Sequence, residues 1–425
     1  MSKVLSQLFI YTLCIAIVIL SVIYNDSDFI LLSTFICVFF CILISKLSPA
    51  SPFAWYVFFI NIYHLSIIYL HYANFRFVNN VNDIILANFL ATIGFLFSGF
   101  FFINKKEKFN ISFANKIKKK TIIFYYTISL ILTLIIPLSF ISSNAQTKSE
   151  FDNTLGSFYG FLNLTILLWL IYKKNTGSKY PVIFISFNFL YFILSTLLLG
   201  ERNIIISFMV IIIISGYAIW NFSRKRIIIL FMSILLAIPI LGEYKNLFTR
   251  TSFESSSSNI PVVIKLADGE FRSAGYNLDK IFDNPPPLQY GASLLNDIGR
   301  ALIPGFIYKF DNSISWYNNE YNPEIVAQGR GYGFSFAAEG YINFSWVGIF
   351  LWFFIIGIFI NYIYYLSMKN MNYLIIYILM IPFLIYALRG DFSSILSPLI
   401  KQVLLPLLII YVTNNYFFKK DTEKK

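Results

Sequence analysis

Long apolar runs alternate with short polar connections along almost the whole chain. The runs cover roughly 4–24, 29–47, 53–72, 84–103, 121–141, 157–172, 180–199, 203–221, 227–243, 340–366, 373–388 and 394–413. Each is close to the ~20 apolar residues that cross a hydrocarbon layer as a helix. The stretch 180–221 is too long for one helix, and the polar GERN at 200–203 divides it in two. The predicted fold class is therefore all-α: a polytopic membrane helix bundle of about twelve spans. The alternation fails once, over residues 244–339, which are rich in Asp, Asn, Gly, Ser and Pro. The expected organisation is spans one to nine in 1–243, a large outside loop in 244–339, and the last three spans with a tail in 340–425. Within the loop, SLLNDIGRALI (293–303) carries Leu294, Leu295, Ile298, Ala301 and Leu302 at helical spacing. That pattern predicts a helix that lies on the membrane surface or covers a cavity, or else a small packed extramembrane helix.

Composition agrees with a membrane solvent. Hydrophobic residues are 57% of the chain and charged residues 13%, and the mean hydropathy is +0.69. A water-soluble body of this size needs more polar surface. The first run lacks a small-residue cleavage site behind it and is expected to be a retained helix. Net charge is +12, and its distribution decides its meaning. With the N-terminus inside, twenty Lys and Arg fall in inside segments and four in the short outside loops. This places both termini in the cytoplasm. The excess is a topology signal and an attraction to anionic lipid heads, so nucleic acid is not an expected partner. Cys14, Cys37 and Cys41 all lie in apolar runs, and His64 and His71 lack ligand-spaced partners. No disulfide framework, metal site or cofactor is expected.

Candidate chemistry collects on the outer side. Arg202 sits in the turn between two spans, and Arg389 in LRGDF (388–392) does the same. Arg250, Arg272, Arg300 and Arg330 lie in the long loop. Charge near membrane depth is costly and usually functional, and the guanidinium fork suits phosphate oxygens. The alternative is local pairing, with Glu201 beside Arg202 and Asp391 near Arg389. Lys401, roughly 10 Å inside the last run, either joins Arg389 in holding an anion or snorkels outward. Glu339 sits where the loop enters a span, as a candidate general base or an Arg counter-ion. Gly329, Gly331 and Gly333 permit a close backbone turn before it. Trp316, Tyr317 and Tyr321 offer flat faces that suit sugars or a membrane interface. Asp26 and Asp28 read best as hairpin solvation.

Three local patterns resemble the bacterial Wzy-type O-antigen and capsule polymerases. GERNIIIS (200–207) is similar to that family's glycine-x-arginine at a span start. GYGFSFAAEGYINFSWVGIF (331–350) is similar to its Gly-rich turn leading to a glutamate, an aromatic and Asn-Phe. LRGDF is similar to its late arginine-bearing outside turn. Ser345 departs from the glycine expected after Asn-Phe, with a loosened helix contact as the expected effect. The resemblance implies a glycosyltransferase-C-like bundle in the bacterial cytoplasmic membrane. It implies polymerisation of undecaprenyl-pyrophosphate-linked repeat units into O-antigen of lipopolysaccharide or into capsule, with a chain-length regulator and a flippase as partners. Fitted to that reaction, the candidate residues are Arg202, Arg389 and Glu339 for catalysis and Arg300, Arg330, Lys401, Arg272 and Trp316 for substrate binding. An O-antigen ligase, another membrane glycosyltransferase or a lipid-linked glycan flippase are the alternatives. The ligase is disfavoured because the long loop holds no histidine.

Overall fold

The computed structural model describes residues 2–24, 26–46, 48–102, 117–142, 157–248, 261–303, 307–308, 310–327 and 331–416. Arg250, the ESSSS stretch at 254–258, Gly329 and Arg330 lie outside the described residues. Every regular element among the described residues is helical. In chain order they are α1 (Ser2–Tyr24), α2 (Ser27–Ile44), α3 (Pro52–Tyr72), α4 (Val81–Ser98), α5 (Lys119–Ser142), α6 (Phe158–Asn175), α7 (Val182–Leu199), α8 (Arg202–Ala218), α9 (Arg224–Phe248), α10 (Val262–Leu266), α11 (Arg272–Asp283), α12 (Ala292–Leu302), α13 (Ser313–Tyr321), α14 (Pro323–Ala327), α15 (Phe336–Ser367), α16 (Met371–Ala387), α17 (Ser393–Pro398) and α18 (Leu405–Tyr416).

Each of the twelve apolar runs coincides with a helix. Seven segments are long and apolar enough to cross a membrane: Ser27–Ile44, Pro52–Tyr72, Val81–Phe102, Lys119–Ser139, Val182–Leu199, Phe336–Ser367 and Ser393–Tyr416. Three shorter apolar helices are Phe9–Tyr24, Arg202–Ala218 and Met371–Ala387. The protein is a multi-pass membrane protein. The GERN break is real: Gly200 (φ 67°) ends α7 and Glu201 precedes the first residue of α8. Asp26 caps α2, its Oδ2 accepting from the Phe29 amide at 3.1 Å.

The chain folds as two compact units. The first comprises residues 1–109, 261–369 and 384–396. Inside it α3 and α4 are joined by a buried polar chain. His64 Nδ1 lies 3.2 Å from Asn88 Oδ1, and Asn88 Nδ2 donates to Asn61 Oδ1 at 2.9 Å. The loop helices are fastened to this pair rather than standing alone. Asp279 on α11 accepts from the backbone amides of Asn79 (3.2 Å) and Asn80 (2.8 Å). Arg76 grips Asp268 with two bonds, at 2.8 and 3.1 Å. The second unit comprises residues 110–260, 370–383 and 397–425. Its core is Leu162, Ile166, Phe192, Ile205 and Phe208 with their neighbours.

Helix α15 is broken. Phe344 (φ −142°, ψ 27°) and Ser345 (φ 57°, ψ −148°) leave helical geometry, which separates 336–343 from 346–367. The second half, at roughly 33 Å, still spans a bilayer. In a straight helix Gly340 and Gly348 would be about 12 Å apart. Here a Cβ on either would strike the other's carbonyl oxygen, so the break folds the two backbones together. Ser345 therefore occupies backbone space that glycine enters freely. Its departure from the resemblance is a matter of backbone strain rather than of a loosened contact. Ser345→Gly is expected to stabilise the protein by about 1 kcal/mol. Reversible unfolding in mixed detergent–SDS micelles measures it, and an unchanged or lower stability would contradict the strain.

Candidate functional site

The site is built on the segment that leads into α15. Residues 333–336 run beside 388–389: the Phe334 amide donates to the Arg389 carbonyl at 2.8 Å, and the Phe336 amide to the Leu388 carbonyl at 3.3 Å. A Cβ on Gly333 would collide with the Arg389 carbonyl, so the Gly-rich turn serves a close backbone approach. Asn277 on α11 donates to the Gly333 and Phe334 carbonyls at 2.8 and 3.2 Å. The buried Tyr317 hydroxyl in turn donates to Asn277 Oδ1 at 2.9 Å. Ser335 then caps α15, and Glu339 lies in its first turn, where a helix favours negative charge.

Glu339 is completely buried. Its Oε1 accepts from the Ser293 and Ser313 hydroxyls at 3.4 and 3.3 Å. Its Oε2 accepts from the Phe392 amide at 2.8 Å. The next amide, Ser393, donates to Asp297 Oδ2 at 2.9 Å, and the one after, Ser394, to Asp391 Oδ1 at 2.9 Å. Three carboxyls, from α15, α12 and the turn itself, thus hold three successive amides at the start of α17. Those amides have no intrahelical acceptors, and their partial positive charge suits carboxylates. The grip fixes the turn that carries Arg389.

Asp297 on α12 and Glu339 on α15 are close enough to act on each other electrostatically. Buried like charges oppose each other's ionisation. Burial, reinforced by the charge of Asp391, pushes Asp297 up to about 7, against the pull of the Ser393 amide and of Arg300. Asp297 Oδ1 is buried and accepts no hydrogen bond from the described residues. Asn343 completes the shell, donating to the Ser293 hydroxyl and the Glu339 carbonyl, each at 2.7 Å.

Of the sequence-derived candidates, the fold gathers Glu339, Arg389, Arg300 and Trp316 in the first unit. Arg389 lies half-buried with its guanidinium 4.9 Å from the Tyr386 ring. Arg300 is exposed, three residues beyond Asp297 on α12. Trp316 meets Phe334 edge-on at 6.4 Å. Arg272 pairs locally, with Asp268 at 3.0 Å. Arg202, at the start of α8, and the exposed Lys401, in the widened turn Leu399–Leu404, belong to the second unit. Asp297 escaped the sequence analysis. The signal was present: Ser293 and Asp297 make a polar stripe four residues apart, facing away from Leu295 and Leu302. Among the described residues no three His, Cys, Asp or Glu side chains are placed to hold a metal ion.

Residues 307–421 match the family model of the O-antigen polysaccharide polymerase Wzy. The Wzy-type resemblance is thereby shown over about a quarter of the chain. The matched stretch takes in Glu339, the break at Ser345, Arg389 and Lys401. It ends short of Asp297, so α12 supplies the Wzy-like segment with a carboxyl from outside it. Neither a curated protein nor a solved structure matches the chain.

Proposed function

We propose that the protein joins polyprenyl-pyrophosphate-linked oligosaccharide repeat units into a surface polysaccharide at the outer face of the bacterial cytoplasmic membrane. The observation that carries this is the Wzy match over a stretch whose arginine turn is clamped by buried carboxyls. In the reaction an acceptor hydroxyl oxygen bonds to the anomeric carbon of the growing glycan. The bond from that carbon to pyrophosphate breaks, and the polyprenyl pyrophosphate leaves with the electron pair. The hydroxyl proton passes to solvent or to the departing phosphate. The main demand is stabilisation of charge growing on pyrophosphate. Arg389, with Arg300 nearby, answers it through charge-assisted hydrogen bonds. Glu339, buried and fully engaged, orients the arginine turn rather than touching sugar. Trp316 offers an aromatic face to a sugar ring. In this reading the chain has about twelve spans with both termini in the cytoplasm, and a flippase and a chain-length regulator act beside it.

Deleting the gene and resolving surface glycan on a gel tests the reading. Loss of the long-chain ladder with a single-repeat species retained is the expected result. Loss of every repeat-bearing species would point to transfer or flipping instead. Complementation with Arg389→Ala should leave chain elongation about 100-fold slower or worse, at unchanged protein level. Arg389→Lys should recover little, because a point charge lacks the planar fork. Arg202→Ala is a separate test of Arg202 as a catalytic candidate.

A further inference from the structure

Helix α12 is amphipathic in the reverse sense for a loop helix in water. Its inward face is polar or small: Ser293, Asp297 and Ala301 are buried and bonded or packed within the site. Its outward face is apolar, with Leu295 70% and Leu302 65% exposed. At 100° per residue Ala292 and Ile298 share that outer arc, while Asn296 and Arg300 run down one flank; the Phe310 ring packs over Gly299 between them. The apolar surface continues past the helix through the exposed Ile303, Ile307 and Tyr308.

Its neighbour bears on what covers it. The amides of Gln289 and Tyr290 donate to the Ile342 and Asn343 carbonyls at 2.8 and 3.2 Å. The Cβ position of Gly291 is 3.7 Å from the Phe344 ring. Phe344 opens a stripe of exposed apolar residues along the spanning half of α15: Phe344, Val347, Leu351 and Ile355. Their three- and four-residue spacing marks one helix face, and on a spanning helix that face meets lipid tails. Helix α12 starts where this stripe starts, at the broken end of the span.

We infer that α12 is embedded in the outer leaflet of the bilayer. Leu295 and Leu302 lie among acyl chains, and Ser293 and Asp297 turn inward to the carboxyl cluster. Arg300 and Asn296 occupy the flank at headgroup level. The partner is the acyl-chain layer of a phospholipid bilayer, and one wall of the site is then a lipid-facing helix rather than a water-facing loop.

The test uses the full-length protein in phosphatidylcholine vesicles without substrate, so it stands apart from the polymerase reading. Leu295→Cys and Leu302→Cys are each labelled with a small fluorophore, with Glu320→Cys on α13 as the exposed reference. The native cysteines are buried. Both α12 positions are exposed, so neither substitution disturbs packing, and Ile307→Cys provides a further reporter. Lipids brominated along their acyl chains should quench positions 295 and 302 several-fold more than 320, and aqueous iodide should do the reverse. Iodide quenching at 295 and 302 equal to that at 320 would place the face in water. Resistance to both quenchers would mean that protein covers it. Either result overturns the inference.

Discussion

Glu339→Ala is expected to destabilise the protein by about 3 kcal/mol and to abolish long-chain product in cells. The substitution leaves the Phe392 amide without its acceptor, at about 1–3 kcal/mol for a buried group. It also opens a cavity of a few methylene volumes beside Ser293 and Ser313. Relief of the crowding between Glu339 and Asp297 offsets part of this. Glu339→Gln is the informative partner. Its oxygen still accepts from Phe392, and the neutral amide removes the charge that crowds Asp297. That variant should stay within about 1 kcal/mol of the parent and keep its ladder. A stable Gln variant that makes no polymer would instead identify Glu339 as the base that touches the acceptor sugar. Unfolding of the purified protein together with glycan gels from the same strains distinguishes the outcomes.

Gly348→Ala should cost about 3 kcal/mol or more, with Gly340→Ala close behind. At most crowded sites a neighbouring side chain swings away. Here each new methyl would meet the other glycine's backbone carbonyl, and backbone yields only by opening the break in α15. Overpacking of this kind costs about 1–3 kcal/mol where side chains give way, and more where they cannot. Opening the break would carry the Glu339 half of α15 with it, so activity should fall together with stability. Gly269→Ala is the control, because nothing lies within 4 Å of that added carbon. Thermal melting of detergent-solubilised variants checks the order: Gly269→Ala unchanged, Gly340→Ala and Gly348→Ala far lower.

Much of the architecture was legible in the chain because membrane helices announce themselves by length and apolarity. Every apolar run is a helix, and the GERN division fell where the helix breaks. The amphipathic pattern at 293–303 also marked a true helix. The pattern left open whether that helix lies on the membrane surface or covers a cavity. Asp297, on the same helix, was not singled out. Asp391 was legible as a charge near Arg389. Its bond to the Ser394 amide depends on a helix starting at Ser393, and the continuous apolar run 394–413 obscured that start. Ser345 was noticed as a departure, and only its backbone angles gave the reason.

The interleaving of the first unit has a consequence for how the protein is made. Residues 1–109 leave the ribosome first, yet Asp279, which holds Asn79 and Asn80, follows 200 residues later. At roughly 5–20 residues per second, α3 and α4 wait about 10–40 s for their partners. During that interval only α1 and α2 of their own unit are there to pack against them. The His64–Asn88–Asn61 chain joins two helices adjacent in sequence, so it forms without waiting. It is equipped to hold the early hairpin in register until the last third of the chain arrives to close the unit around it.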